Sequence, residues 1–441
     1  MLRFHTGAFF IALIIALINF VTMHSISSRV IIFGLVILVF IVLDGYVYQG
    51  VKTLLHGQSD TLKRVLSLCY WAITVISILL LLSFSFLNPE SINSVVRNVI
   101  ITLLFANLFF KLIFGAFLLI EDVYRLGNWL VMLFANPLPS GQGDAISRSK
   151  FLSSVGITVA SLPFVAMVYG VLKGAHDYRV KNVKIALKNL PASFHGLKIL
   201  QLSDIHSGSF VSHSLVEKGI EMALAQKPDV IFFTGDLVNN VAEEVEEYKQ
   251  LFSRLQAPMG VYSVLGNHDY GDYVSWPTEQ AKKDNLNKLI GTHKEMGWDI
   301  LINEHRILKR GDDKIAVLGI ENWGAKGRFP KYGKMKDALH GMESVSVKLL
   351  LSHDPSHWDA QVIPEHGDVD IMFAGHTHGF QFGVEVAGVK WSPVKYMYEQ
   401  WAGLYQKGQQ YLYVNRGFGY IGFPGRIGMA PEITVVELVK A

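Results

Sequence analysis

Five short segments of the sequence gather side chains able to hold a metal ion. They are Ser203-Asp204-Ile205-His206, Thr234-Gly235-Asp236, Gly266-Asn267-His268-Asp269, Ser352-His353-Asp354 and Gly375-His376-Thr377-His378. Carboxylate, imidazole and amide oxygen together suit borderline ions such as Zn, Mn and Fe, and a lone Cys69 offers no softer thiolate set. A single catalytic zinc takes three protein ligands and a water. Here seven residues compete: Asp204, His206, Asp236, Asn267, His353, His376 and His378. Two divalent or trivalent ions about 3.5–4 Å apart, sharing one carboxylate, would engage them all. Such a pair brings water to its hydroxide form near neutral pH and clamps both oxygens of an in-line phosphoryl transfer. Taken singly, Gly266–Asp269 is an ordinary turn sequence and the His376/His378 pair a coincidence. Five in order, each closing an apolar run, make a different pattern.

Those runs are the elements that must position the ligands. Lys198–Leu202, Val230–Phe233, Gly260–Leu265, Val347–Leu351 and Val369–Phe373 are short and apolar, as strands buried on both faces are, and Lys314–Ile320 is another. Val180–Leu187 alternates apolar and polar residues like an edge strand. Helical patterns at Leu215–Ala225 and Glu244–Leu255 separate the early strands. Strand–helix repetition followed by consecutive strands predicts an α/β sandwich with mixed sheets, and ligands at the carboxyl ends of its strands. Residues from about Tyr270 to Gly297 read as an insertion over the site.

The order Asp-x-His, Gly-Asp-x-x-x-Asn, Gly-Asn-His-Asp, a lone His and Gly-His-x-His resembles the calcineurin-like metallophosphoesterase family, in particular its bacterial branch with N-terminal export or membrane segments. The resemblance runs over about residues 180–437, including Trp401–Tyr405, Val414–Gly417 and Pro431–Ile433. It implies a four-layer αββα sandwich. It also implies one metal on Asp204, His206 and His378, a second on Asn267, His353 and His376, and Asp236 bridging. His268 matches the histidine that contacts phosphate and protonates the leaving oxygen, and Asp269 would orient that imidazole. Phe380 stands after Gly379, where close relatives often have Gly, which alters the rim rather than the ligands. Asp354 and Asp370 are candidates for holding ligand histidines from behind. His195, His213, His293, His305, His340, His357 and His366 lack such context and read as structural or solvated residues. The acidic run Glu243–Glu247 and the basic stretch Lys326–Lys336 read as solvated surface.

Composition divides the chain near Gly174. Residues 1–174 carry 11 basic and 6 acidic side chains, and residues 175–441 carry 29 and 31. With 17% charged residues overall and a mean hydropathy of +0.30, the chain reads as a membrane bundle (1–174) followed by a soluble half (175–441), which the resemblance implies is a metallophosphoesterase domain. Apolar segments at Gly7–Met23, Val30–Tyr48, Leu66–Leu87, Val99–Ile120 and Phe151–Leu172 give about five helices. Trp129–Ala135 is too short to span and reads as interfacial or re-entrant. The alternate loops holding Lys52, Lys63, Arg64, Arg125, Arg148 and Lys150 belong in the cytoplasm with the N-terminus, so the domain faces outward from an inner (plasma) membrane. No Lys/Arg-rich tract suggests nucleic-acid binding. The expected activity is hydrolysis of a phosphate mono-, di- or pyrophosphate ester, a membrane lipid among the candidates. A transporter lined by Lys111 and Asp44, with a regulatory outer domain, and a silent metal-binding scaffold are the alternatives. Oligomeric state, substrate and native metal pair stay open.

Overall fold

The computed structural model describes residues 26–86, 94–134, 145–327, 329–386 and 389–441. The chain divides into two compact units, Met1–Val168 and Tyr169–Ala441.

In the first unit, four long helices appear among the described residues: α1 (Ile26–Leu55), α2 (Asp60–Phe86), α3 (Ser94–Phe134) and α4 (Ala145–Leu172). Each holds a stretch long and apolar enough to cross a bilayer: Ile37–Leu55, Asp60–Ser83, Val99–Asn128 and Lys150–Leu172. The segment Gly7–Met23 lies outside the described residues. Trp129–Phe134 is not re-entrant, because it continues α3 as one helix of 41 residues. The charges Glu121, Asp122 and Arg125, taken in the sequence as the end of a span, carry the helix onward instead. Glu121 and Arg125 pair one turn apart. Deeper in the bundle, Lys111 Nζ lies 2.5 Å from Asp44 Oδ1, and the Tyr70 hydroxyl donates to the same oxygen at 3.0 Å. The intramembrane charges thus neutralise each other, as a buried cation and anion in an apolar bundle must.

The second unit holds fourteen strands among its described residues. One six-stranded sheet has the order β1 (Arg179–Leu187), β14 (Glu432–Lys440), β2 (Leu197–Leu202), β3 (Val230–Phe233), β4 (Val261–Ser263), β5 (Asp299–Ile300). The other has β12 (Gly403–Lys407), β13 (Gln410–Val414), β9 (Ile371–Ala374), β8 (Lys348–Leu351), β7 (Asp313–Gly319), β6 (Glu304–Arg310). A separate hairpin pairs β10 (Val384–Val386) with β11 (Val389–Trp391).

Alternation along each strand makes the layers. Ile199, Val230, Phe232, Leu349, Leu351, Ile371 and Phe373 fill one core between the two sheets. Their neighbours Leu200, Leu202, Ile231 and Phe233 turn outward under α5 (His213–Leu224) and α7 (Glu279–Glu295). Leu350, Met372 and Ala374 turn outward on the far side with Trp358, Val362 and α8 (Met335–Leu339). The result is a helix–sheet–sheet–helix sandwich, and burial on both faces explains why these strands read as continuous apolar runs. Strands β2 to β5 run parallel, as do β7, β8, β9 and β13. Two parts of the sequence reading change. Glu244–Leu255 is broken into a 3₁₀ turn and the short helix α6 (Lys249–Phe252). Residues 279–295 are no insertion: they form α7, the crossover that joins β4 to β5.

Candidate metal centre

Five strand ends deliver the candidate ligands to one place. Asp204 and His206 follow β2, Asp236 follows β3, Asn267 and His268 follow β4, His353 follows β8, and His376 and His378 follow β9. Five of them adopt left-handed backbone angles: Asp204 (φ 50°), His206 (φ 50°), Asp236 (φ 59°), His376 (φ 71°) and His378 (φ 52°). A chain leaving a strand in this conformation turns sharply, aiming the side chain across the end of the sheet. Asp and His tolerate the region better than most residues, and its concentration here marks a functional site. Close approach of the loops requires glycine beside them. A Cβ on Gly235 (φ 97°) would meet the Gly266 nitrogen at 2.5 Å, and one on Gly375 would meet Asp204 Oδ2 at 2.2 Å.

The buried donors form two groups, Asp204–His206–His378 and Asp236–His353–His376, each with its ligand atoms within 4.8 Å of one another. In the first, His378 Nε2 is 3.0 Å from His206 Nε2 and 3.2 Å from Asp204 Oδ1. In the second, His376 Nδ1 is 3.3 Å from His353 Nε2 and 2.8 Å from Asn267 Oδ1. Asp236 Oδ2 stands between the groups, 3.6 Å from His206 Nε2 and 3.1 Å from His353 Nε2.

The donor chemistry fits a cation in each group. His206 Nδ1 meets the Val238 carbonyl at 3.2 Å and His353 Nδ1 meets that of Thr234 at 2.7 Å. These partners assign the Nδ1–H tautomer, leaving each Nε2 lone pair aimed at Asp236. The Tyr398 hydroxyl donates to Asp354 Oδ2 at 3.4 Å and lies 3.0 Å from His376 Nε2. It therefore accepts from that nitrogen, which makes His376 Nδ1 another lone pair. Asn267 Nδ2 donates to the Tyr273 hydroxyl at 2.8 Å, turning Oδ1 to the same space. Lone pairs converging at such distances need a positive charge among them. Without an ion, a proton fills the role. Burial opposes charge on His353, but the Asp236 carboxylate outweighs it and pushes the ring up to about 10. Burial also works against the Asp236 charge, yet His353, His268 and His206 hold that carboxyl well below its usual range. Burial keeps His206 neutral, far below an ordinary histidine.

The predicted pair His268 and Asp269 separates. His268 Nδ1 lies 2.9 Å from the Asn239 carbonyl, and its ring packs on Tyr273 with centroids 4.4 Å apart. Its backbone N–H donates to Asp236 Oδ1 at 2.8 Å. Asp269 does not orient that imidazole. Its Oδ2 accepts from the backbone of Asp236 and Gly266 at 2.9 and 2.8 Å, and Oδ1 from Leu237 and Val238 at 2.8 and 3.3 Å. Burial and the nearby Asp236 charge raise this carboxyl to about 7, while the N–H donors pull the other way and favour its charged form. Asp354 lies behind His376, its Oδ2 3.7 Å from Nε2. Asp370 does not: it caps the opposite end of the sheet, accepting from the Lys348 backbone at 2.8 Å. His293, His305 and His357 make structural hydrogen bonds to Ser263, Ala338 and Ser352.

Three contributors escaped sequence reasoning. Tyr273 and Tyr398 sit in segments with no motif, and nothing short of the fold brings them to the ligands. Arg426 is buried beneath His378, donating to the carbonyls of Arg416 and Gly419. Its only sequence signal is an arginine in a glycine-rich, otherwise apolar segment.

Comparison with known proteins bears on both units. Residues 27–175 match the family profile described as "Probable Calcineurin-like phosphoesterase, transmembrane domain", and residues 197–380 match "Calcineurin-like phosphoesterase". A Danio rerio "Transmembrane protein with metallophosphoesterase domain" is 28% identical over 76% of this chain and 71% of its own length. "Phosphodiesterase YaeI" of Escherichia coli is 28% identical over 67% of this chain and the whole of its own. An "Uncharacterized metallophosphoesterase YkuE" from Bacillus subtilis is 27% identical over 66% of this chain and 98% of its own.

Proposed function

The chain belongs to the calcineurin-like metallophosphoesterases, metal-dependent phosphoester hydrolases, and from that premise we propose a membrane-anchored enzyme with a two-metal centre. The position of Asp236 Oδ2 between two lone-pair clusters carries the reading. In it, Asp204, His206 and His378 would hold one ion and Asn267, His353 and His376 the other, with Asp236 shared between them. Manganese, iron and zinc all suit this donor set. When bound, the pair supplies hydroxide at neutral pH and neutralises phosphate oxygens. The chain's own residues do the rest. The Asn239 carbonyl holds the Nδ1–H of His268, so Nε2 is the nitrogen that carries a proton to the leaving oxygen. Asp269 acts on no substrate atom; it fixes the backbone that presents Asp236. Substrates of this chemistry are phosphate mono-, di- and pyrophosphate esters.

The charge pattern supports an outward-facing domain on the plasma membrane. The facing ends of α1 and α2 and the later part of α3 with the start of α4 carry Lys52, Lys63, Arg64, Arg125, Arg148 and Lys150, while Arg29, Arg97 and Lys173 lie towards the other helix ends. Six against three favours an exit of α4 on the outer side. A reporter active only in the cytoplasm, fused after Ala441, should stay silent.

The test of activity uses the full-length chain with manganese and bis-p-nitrophenyl phosphate. Hydrolysis in the wild type and its loss by more than about 100-fold in Asp236→Asn are expected, since even partners behind the ligands are worth 10–100-fold. A metal-loaded wild type with no phosphoesterase activity, or an unaffected Asp236→Asn, refutes the assignment.

A further inference from the structure

The hairpin beside the metal centre is inside out. Strands β10 and β11 pair Val384 with Trp391, Glu385 with Lys390 and Val386 with Val389. Cross-strand partners share a face and successive residues alternate, so Val384, Val386, Val389 and Trp391 form one face and Glu385 and Lys390 the other. The polar face is the one held to the domain. Glu385 receives both Arg416 Nη atoms, at 2.8 and 3.2 Å. Lys390 Nζ donates to the Ala402 carbonyl at 2.5 Å and lies 5.1 Å over the Trp401 ring. The apolar face looks outward, with Val386 65% and Val389 68% exposed. A half-solvated antiparallel pair in water has the reverse pattern.

Two neighbours extend the face. Phe380, two residues after His378, has φ +60° and a side chain 55% exposed. A left-handed phenylalanine is strained, and this one gains no burial in return. Tyr396 and Met397 also lie open to solvent. The Trp391 indole N–H is 3.5 Å from the Tyr396 hydroxyl, and the exposed Lys395 stands over the Tyr396 ring at 5.3 Å. Lys326 reaches the Met397 carbonyl at 2.6 Å. Aliphatic side chains rimmed by Trp, Tyr and Lys match the boundary between acyl chains and anionic headgroups. The same chain carries membrane-spanning helices, so a bilayer is always at hand.

We propose that this face, formed by the β10–β11 hairpin with Phe380 and Tyr396–Met397, docks on a lipid bilayer and directs the metal centre to phosphoesters anchored there. The docking stands alone; the preference rests on the phosphoesterase reading above.

The experiment reconstitutes full-length Cys69→Ser protein in phosphatidylcholine–phosphatidylglycerol bilayers and places a bimane on Val389→Cys. A second label goes on Lys188→Cys, just beyond β1. That strand runs antiparallel to β2 through β14, so it ends at the sheet edge away from the ligands. Nitroxide lipids should quench the first label and spare the second, with or without metal. Activity is then read on two substrates with the same leaving group. One is bis-p-nitrophenyl phosphate in solution. The other is phosphatidyl-p-nitrophenol in the bilayer, where water adds to phosphorus, the P–O bond to p-nitrophenolate breaks, and phosphatidic acid forms. Val386→Ser with Val389→Ser should lower kcat/KM on the bilayer substrate by about tenfold or more, through lost burial of apolar groups, and leave the soluble one unchanged. Equal quenching of both labels overturns the docking. An equal effect on both substrates overturns the preference. Loss of all activity in an otherwise quenched, metal-loaded wild type counts against the phosphoesterase reading alone.

Discussion

Replacing Asp269 by Asn separates two roles for that carboxylate. If it oriented His268, the amide would disturb proton delivery and leave the fold alone. Its hydrogen bonds point elsewhere, to four backbone N–H groups of the Gly266 and Asp236–Val238 segments. An asparagine keeps one oxygen for two of these and turns its NH₂ against the other two. Each buried N–H left without an acceptor costs about 1–3 kcal/mol, so the change should destabilise the domain by about 4 kcal/mol. At about 2–4 °C per kcal/mol for a domain of this size class, thermal unfolding of the full-length protein should begin about 10 °C lower. Because the freed segment carries Asp236, manganese affinity measured by calorimetry should fall as well. An Asp269→Asn protein with unchanged melting temperature and manganese affinity, but a shifted pH–rate profile, would refute this reasoning and restore the carboxylate to His268.

Other perturbations follow from the same geometry. His268→Ala should slow hydrolysis of alkyl phosphodiesters by about 10²–10⁴-fold while affecting p-nitrophenyl esters far less, because a good leaving group needs no proton; equal losses on both would remove it as general acid. Tyr398→Phe removes the acceptor for His376 Nε2–H and should weaken binding of one ion of the pair by about 10–100-fold, seen as a split in the manganese isotherm. In the bundle, Lys111→Met strands the Asp44 carboxylate and should destabilise the full-length protein by about 3–5 kcal/mol, whereas Lys111→Met with Asp44→Leu should recover most of it. A double variant that stays stable but loses hydrolysis or a solute flux would instead assign the pair a functional path.

How much of this was legible in the sequence depends on whether a residue's role is local. Val230–Phe233 is a strand with the bounds its apolar run suggested, because burial on both faces leaves no ambiguity of period. Strand β14, in contrast, carries Glu437 and ends in Lys440, and its place between β1 and β2 is a matter of long-range pairing. The ligand segments stood out because each packs several unusual residues into a few positions. Asp269 was misassigned because the resemblance offered it as the usual carboxylate partner of a histidine, but the 3₁₀ turn His268–Tyr270 sends the two side chains to different partners. The re-entrant reading of Trp129–Ala135 rested on its shortness, whereas residues to Phe134 continue α3, whose i, i+4 pair Glu121–Arg125 lets the helix carry its charges.

The left-handed ligands tie the metal to the fold. Each such residue costs on the order of 1–3 kcal/mol, and five of them together rival the net stability of a domain. Something must hold them. Part comes from the apolar sheets behind the loops, part from Asp269 and the buried Arg426 guanidinium, which lash the loops from below. Arg426 also donates to His378 Nδ1 at 3.2 Å, but none of these reaches the facing nitrogens of His353 and His376, 3.3 Å apart. A metal ion held among these donors replaces the proton that otherwise sits there, so ion binding should contribute stability as well as chemistry. At a free metal concentration 100 times Kd, binding to the native state alone adds about 2.7 kcal/mol. Chelation should therefore lower the melting temperature of the wild type measurably and that of Asp236→Asn hardly at all. Equal shifts in both would mean that the strained loops are held without the ion.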